Sequence, residues 1–267
     1  MSQYHSEMIT EDGFTLPFTV IEAKTNSPKG IIIYFHGGGL IFGDAHDLAQ
    51  PYIDVLSQNF HLVLASYRLA PESKINVIIR DVLLQYDTIK QRYSSLPLFT
   101  FGRSAGAFLA MLVSLHRPVD GILDFYGYCR VHVPSFLRPN AQYQTLSSKI
   151  TPDIINQLIQ NKPLISGPMQ VRYPIYIHAR GEAKWLYYLG IQTSTQSDYN
   201  ISPQQLKGFP PMFIVHCKND PDVPYTESEH IYQNVSNCQI ESLNFNQHDF
   251  DRVVNETNIS LYKGDCL

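Results

Sequence analysis

The stretch Leu96–Ala110, LPLFTFGRSAGAFLA, constrains this chain more than any other. Leu98 to Phe101 is an apolar and aromatic run that reads as a buried strand, and Ala107 to Leu115 reads as a buried helix. Between them stands Gly102-Arg103-Ser104-Ala105-Gly106, a G-x-S-x-G turn. Strand, G-x-S-x-G and helix in that order describe a nucleophile elbow, in which a strained turn exposes a serine hydroxyl at the head of the helix. The glycines are required because strand and helix approach too closely there for side chains. The helix N-terminus and the Ala105 N–H then stand where developing negative charge is stabilised. Taken alone the pattern also fits an ordinary turn, so the rest of the chain must supply a base, an acid and an oxyanion site.

The chain has 267 residues, 44% of them hydrophobic and 16% charged, which suits one large α/β domain. The net charge is −4 and no cluster of five or six basic residues occurs, so no nucleic-acid partner is expected. Cys129, Cys217, Cys238 and Cys266 follow no C-x-x-C spacing and read as free thiols in a reducing compartment. MSQYHSEMITEDG has no apolar run of the kind a secretion signal carries, and no stretch approaches the ~20 apolar residues of a membrane span. A soluble, cytoplasmic protein is the expectation.

Along the chain, Phe14–Ile21 reads as a first strand at a sheet edge, and Ile31–Phe35 as a strand buried on both faces. The latter runs into His36-Gly37-Gly38-Gly39. Three glycines after a core strand let the backbone approach a ligand and aim N–H groups at it, the HGGG-type oxyanion motif of esterases and lipases. His36 then braces the loop and is not the base. His46–Asn59 is a predicted helix, His61–Ser66 a strand, Lys74–Tyr93 a helix with apolar residues near a 3.6 period, and Val119–Tyr126 another strand. Such alternation predicts a mostly parallel, twisted sheet flanked by helices, with sites at the carboxyl ends of the strands. Between Tyr128 and Phe209 the alternation stops. Thr151-Pro152 and Ser202-Pro203 mark helix starts there, and the stretch is too long for an ordinary connection. Pro210–Cys217 is the next strand, Thr226–Val235 a helix with Thr226 as N-cap and Glu229 in a capping box, Gln239–Phe245 the last strand, and a final helix runs to about Tyr262.

HGGG at residues 36–39, YRLAPE at residues 67–72 and G-x-S-A-G at residues 102–106, in this order, resemble the hormone-sensitive-lipase-like branch of the α/β-hydrolase family. The resemblance implies an α/β-hydrolase fold with residues 1–129 and 200–267 as core and residues 130–199 as an inserted cap that shapes the pocket. It implies a structural polar bridge between Arg68 and Glu72 beneath the site loops. It also implies a serine carboxylesterase acting on a small-molecule ester of short acyl chain. A peptidase or amidase on the same fold, and a binding protein that has lost catalysis, are the other readings. Many relatives carry GDSAG where this chain has Arg103, which leaves a cationic side chain to pair with a nearby carboxylate or extend beneath the cap.

In this fold the chain order is nucleophile, acid, histidine. After the acid loop come only His230, inside a predicted helix, and His248, in a loop just past the last strand. His248 is therefore the expected base. Asp220 and Asp222 both follow the penultimate strand, and Asp222 is also free to cap the next helix or face solvent. The D-x-x-V-P pattern of similar esterases places the acid at Asp220. The expected site is thus Ser104, His248 and Asp220, with N–H groups of Gly38, Gly39 and Ala105 forming the oxyanion hole. This chemistry calls for no metal and no organic cofactor.

Overall fold

The computed structural model describes residues 2–262. Strands β1 (Gln3–Ile9) and β2 (Thr15–Ile21) form an antiparallel hairpin, followed by β3 (Gly30–Phe35), helix α1 (Gln50–Leu56) and β4 (Phe60–Ala65). Helix α2 (Ile75–Arg92) leads to β5 (Leu98–Arg103), which turns at Ser104 into α3 (Ala105–His116), and β6 (Gly121–Phe125) follows. Between β6 and the next strand the described chain is helical: α4 (Pro134–Leu137), α5 (Ala141–Ser147), α6 (Pro152–Leu158), α7 (Met169–Gly181), α8 (Trp185–Leu189), a 3-10 turn (Thr193–Tyr199) and α9 (Pro203–Leu206). Then come β7 (Met212–Cys217), α10 (Tyr225–Asn234), β8 (Cys238–Leu243) and α11 (Glu256–Tyr262).

The eight strands form one sheet in the order β1-β2-β4-β3-β5-β6-β7-β8. All pairings from β4 through β8 are parallel, and only β1 and β2 run antiparallel to their neighbours. Strand β3 shows why the sheet is covered on both faces. Ile31, Ile33 and Phe35 pack on one side with Ile78 and Val82 of α2 and Phe108 of α3. Ile32 and Tyr34 pack on the other with Tyr52 and Leu56 of α1 and Tyr262 of α11. Each such buried side chain contributes about 1.5–3 kcal/mol, so the continuous apolar run of β3 is what fixes it at the centre. Its carboxyl end, like those of β5, β7 and β8, opens onto one rim of the sheet.

Three sequence expectations need correction. Phe14–Ile21 is not the edge, because β1 pairs with it along its whole length. Only Met8 of β1 is buried, so this strand is held by backbone hydrogen bonds and carries little apolar signal. The helix expected over His46–Asn59 is confined to Gln50–Leu56, with Pro51 in its first turn. Thr226 does not cap α10: the cap position falls two residues earlier, at Pro224, and no side chain caps it. That register turns Glu227 inward to Arg130, 2.6 Å away, and leaves Glu229 exposed. Thr151 does cap α6 by accepting from the Ile154 N–H, and Ser202 with Gln205 forms a capping box at α9. Cys129, Cys217 and Cys238 are free thiols; Cys266 lies outside the described residues. Among the described residues no helix is long and apolar enough to cross a membrane.

Candidate active site

Ser104 sits between β5 and α3 with φ 53° and ψ −121°, a backbone conformation that costs a residue with a side chain about 1–3 kcal/mol. Its N–H is fixed by the Phe125 carbonyl at 2.8 Å. Close packing explains the flanking glycines: a Cβ on Gly102 would lie 2.1 Å from the Gly106 carbonyl oxygen, and one on Gly106 would lie 2.1 Å from that of Phe35. The strain is therefore imposed by the contact of β5, α3 and β3.

His248 lies beyond β8. Its Nε2 is 2.9 Å from Ser104 Oγ and its Nδ1 is 2.6 Å from Asp220 Oδ2. Asp220, in the loop after β7, has no exposed side-chain surface. Its Oδ1 accepts from the N–H groups of Asp222 and Val223 at 2.8 and 3.0 Å. Its Oδ2 is shared with His216 Nε2 at 3.0 Å. Burial opposes the Asp220 charge, but His248 and His216 outweigh it and hold the carboxyl well below the usual range. Burial likewise disfavours a charged His248, yet the Asp220 charge and hydrogen bond prevail and raise its pKa above the ordinary value. Tyr126 meets the His248 ring in a T-shaped contact, with centroids 4.8 Å apart.

The HGGG segment lies at the end of β3, and Gly38 and Gly39 line the same cavity as Ser104. Both have positive φ, 97° and 60°, and a Cβ on Gly39 would strike the Tyr176 ring at 2.2 Å. Among the described residues their N–H groups donate to no protein acceptor. Ala105 opens α3, where N–H groups have no partner within the helix. His36 is fully buried, stacks on Tyr67 with centroids 4.3 Å apart, and hydrogen-bonds through Nδ1 to the Gly37 carbonyl at 2.8 Å. It braces the loop as expected. Trp185, the chain's single tryptophan, donates from Nε1 to the Gly39 carbonyl at 2.8 Å.

Two partner assignments differ from the sequence reading. Arg68 and Glu72 do not bridge to each other: Arg68 pairs with Asp81 at 2.6 Å and Asp12 at 2.5 Å, and Glu72 pairs with Arg172 of α7 at 2.7 Å. The reason is that α2 and α7 bring complementary charges to both sides of this loop. Asp222 neither faces solvent nor caps α10. It is buried and accepts from the Tyr143 and Tyr176 hydroxyls at 3.0 and 2.6 Å and from Arg180 Nε at 3.0 Å. Arg103 does find a carboxylate: Asp251, fully buried, accepts from its Nη2 at 3.1 Å and lies 3.0 Å from its Nε. Tyr126, Tyr34 and Asp47 complete the guanidinium's contacts. Sequence reasoning missed His216 and Tyr126 as neighbours of the site. Only His216, at the end of β7 and four residues before Asp220, offered a local signal.

The cavity over Ser104 measures about 360 Å³ and is walled by the HGGG loop, α5, α7 and the His248 loop. A narrower recess of about 10 Å³ lies beside Ser104 among Tyr128, Phe136, Tyr176 and Trp185. A hydroxyl bonded to a histidine that is itself bonded to a buried carboxylate is suited to nucleophilic attack.

A family model described as the alpha/beta hydrolase fold matches residues 32–250. The chain is 28% identical over 149 residues to versiconal hemiacetal acetate esterase of Aspergillus parasiticus, covering 55% of this chain and 46% of that protein. It is 29% identical over 158 residues to monoglyceride lipase of Homo sapiens, covering 54% and 47%. The matches thus span about half the length of these curated relatives. A crystal structure of a protein of unknown function from Staphylococcus aureus is similar with a TM-score of 0.95 and 44% identity, over 97% of this chain and 96% of that one.

Proposed function

We propose a function from one premise: the chain belongs to the α/β-hydrolase fold family. It is a serine carboxylic ester hydrolase whose catalytic residues are Ser104, His248 and Asp220. The observation that carries this reading is the unbroken relay of 2.9 Å from Ser104 Oγ to His248 Nε2 and 2.6 Å from His248 Nδ1 to Asp220 Oδ2. The relatives named as esterase and lipase support the same reaction class.

The chemistry follows from these positions. Asp220 accepts the Nδ1–H and so leaves the Nε2 lone pair facing the serine. His248 takes the Ser104 proton as Oγ bonds to the ester carbonyl carbon. The carbonyl oxygen becomes an oxyanion and is held by N–H groups of Gly38, Gly39 and Ala105 at the positive end of α3. One such donor is worth about 3 kcal/mol in the transition state. The C–O bond to the alcohol then breaks, and the alcohol takes the proton from His248. Water, deprotonated by the same His248, attacks the acyl-enzyme and releases the acid with Ser104 restored.

Residues 130–199 act as the cap, with 1–129 and 200–267 as the core, a division supported by the cavity walls that α5 and α7 contribute. The acyl chain is short. The recess beside Ser104 is closed by aromatic rings whose centroids lie 4.9 to 5.7 Å apart, and its ~10 Å³ suits a group about the size of a methyl. The free thiols of Cys129, Cys217 and Cys238 favour a reducing cytoplasm.

Hydrolysis of p-nitrophenyl esters from acetate to long acyl chains tests the reading. The rate should fall steeply with chain length, and Ser104→Ala should abolish turnover in a folded protein. Zero rate across the series with folded protein, or full turnover by Ser104→Ala, would overturn it.

A further inference from the structure

Given the ester hydrolysis proposed above, the chemistry assigns each half of the substrate to its own compartment. The leaving oxygen must reach His248 to collect a proton, so the alcohol half occupies the cavity that His248 lines. The acyl half occupies the recess that Ser104 lines and His248 does not.

The two compartments differ in character. The acyl recess is ringed by Tyr128, Phe136 and Trp185, and the charges on its wall, Arg180 and Asp222, are paired with each other. In the larger cavity the only wholly apolar side chains are Phe42, Met169 and Pro221. The carboxamides of Gln142, Asn246 and Gln247 stand on its wall, and among the described residues none of the three is engaged by another side chain or by backbone. They are exposed and therefore hydrated. A long aliphatic alcohol would strip that water and return no hydrogen bond, leaving each amide unpaired. Hydroxyl groups would replace the water in kind.

Ring geometry and charge narrow the class further. Tyr173 and Tyr176 lie nearly parallel, 18° apart, and Phe42 meets both edge-on, giving flat apolar faces beside the amides. That combination suits a molecule with C–H faces and hydroxyl edges. Of the arginines on the wall, the buried Arg103 is committed to Asp251 and Asp47, and the exposed Arg252 pairs through Nε with Asp249 at 2.5 Å. No unpaired arginine or lysine among the described residues lines the cavity to receive an anionic alcohol. We propose that the alcohol half of the substrate is a neutral polyol of about monosaccharide size, carrying an acetyl-sized acyl group.

Steady-state kinetics of the purified protein on four acetates test this: p-nitrophenyl acetate, hexyl acetate, monoacetylated glucose and 1-acetylglycerol. The kcat/KM for a polyol acetate should exceed that for hexyl acetate by at least about tenfold. Replacing both Gln142→Leu and Gln247→Leu should shrink that ratio about tenfold. A preference for monoacetylated glucose supports the proposal, and a preference confined to 1-acetylglycerol overturns its monosaccharide size. Hexyl acetate turned over as well as both polyols, or a ratio unmoved by the double substitution, overturns it while p-nitrophenyl acetate hydrolysis keeps the ester-hydrolase reading intact. Folded protein that cleaves none of the four overturns both.

Discussion

Arg103 is the residue at which this chain departs most plainly from the acidic residue many related elbows carry, and its removal gives the sharpest stability test. Its side chain is 8% exposed and that of Asp251 is not exposed at all. In Arg103→Ala, Asp251 keeps the hydroxyls of Tyr126 and Tyr262, each 2.7 Å away, but loses its only cation among the described residues. Breaking a buried pair by deleting one partner costs about 3–5 kcal/mol. The second ion pair, to a partly exposed Asp47 at 3.3 Å, adds no more than about 1 kcal/mol. The folded-to-unfolded ratio should therefore fall by about a hundredfold to twenty-thousandfold. Arg103→Lys should recover little, since one ammonium cannot meet Tyr34, Tyr126, Asp47 and Asp251 together as the planar fork does. Urea unfolding followed by circular dichroism reads the effect as a lower midpoint at unchanged slope. The double substitution Arg103→Met with Asp251→Leu should be less damaging than either single one, because it leaves no orphaned charge. An Arg103→Ala variant that loses less than about 1 kcal/mol would refute the reasoning.

Ser104→Gly should abolish ester turnover and raise stability by about 1 kcal/mol, because glycine adopts φ 53° without the strain of a side chain; thermal unfolding checks the gain. In the proposed mechanism only neutral His248 accepts the serine proton, so kcat/KM should be lost as pH falls through a midpoint above the ordinary histidine value of about 6.5. Asp220→Asn removes the charge that raises this midpoint; a pH–rate profile should show it moving down, with kcat reduced about 10⁴-fold by loss of the correct tautomer. Asp124, fully buried in β6, is pushed by burial from 3.8 to about 7 although the Gly127 N–H bonds to it. Its folded value is raised, so its contribution to stability is complete below 3.8 and disappears as pH rises through about 7. Asp124→Asn keeps the acceptor and never ionises; its unfolding free energy should pull ahead of the parent's between pH 4 and 8 by about 4 kcal/mol at most.

What the sequence discloses and what it hides divide along the range of the interactions. The strand–turn–helix around Ser104 is legible because a continuous apolar run, two close-packed glycines and a second apolar run are all local. His248 is legible by elimination, from the order of elements and the few histidines that follow the acid loop. β1 is hidden because an edge strand needs only one buried side chain, Met8, and makes its bonds through backbone that any sequence supplies. The start of α10 is misread because Thr226 has the right chemistry for a cap while Pro224, with its fixed φ, sets the register two residues earlier. The partners of Arg68 and Glu72 are hidden for another reason. Asp81 and Arg172 reach that loop from α2 and α7, and nothing in the spacing of YRLAPE names a residue a hundred positions away.

The acid loop shows how two like residues acquire unlike tasks. Asp220 and Asp222 are the same side chain two positions apart, both buried, and composition alone makes them interchangeable. Asp220 gathers donors from its own loop and from His216 and His248, all belonging to the strand ends of the sheet. Asp222 gathers Tyr143 of α5 and Tyr176 and Arg180 of α7, all from the helical segment between β6 and β7. The two are joined, because Asp220 Oδ1 holds the N–H of Asp222 itself. Any shift of α5 or α7 that pulls on Asp222 is therefore felt at the carboxylate that orients His248. Tyr176 carries the same movement to the other side of the site, where its ring lies against Gly39. The segment that walls the cavity is thus tied both to the loop bearing Asp220 and to the loop bearing Gly38 and Gly39, so pocket shape and site geometry are set by the same contacts.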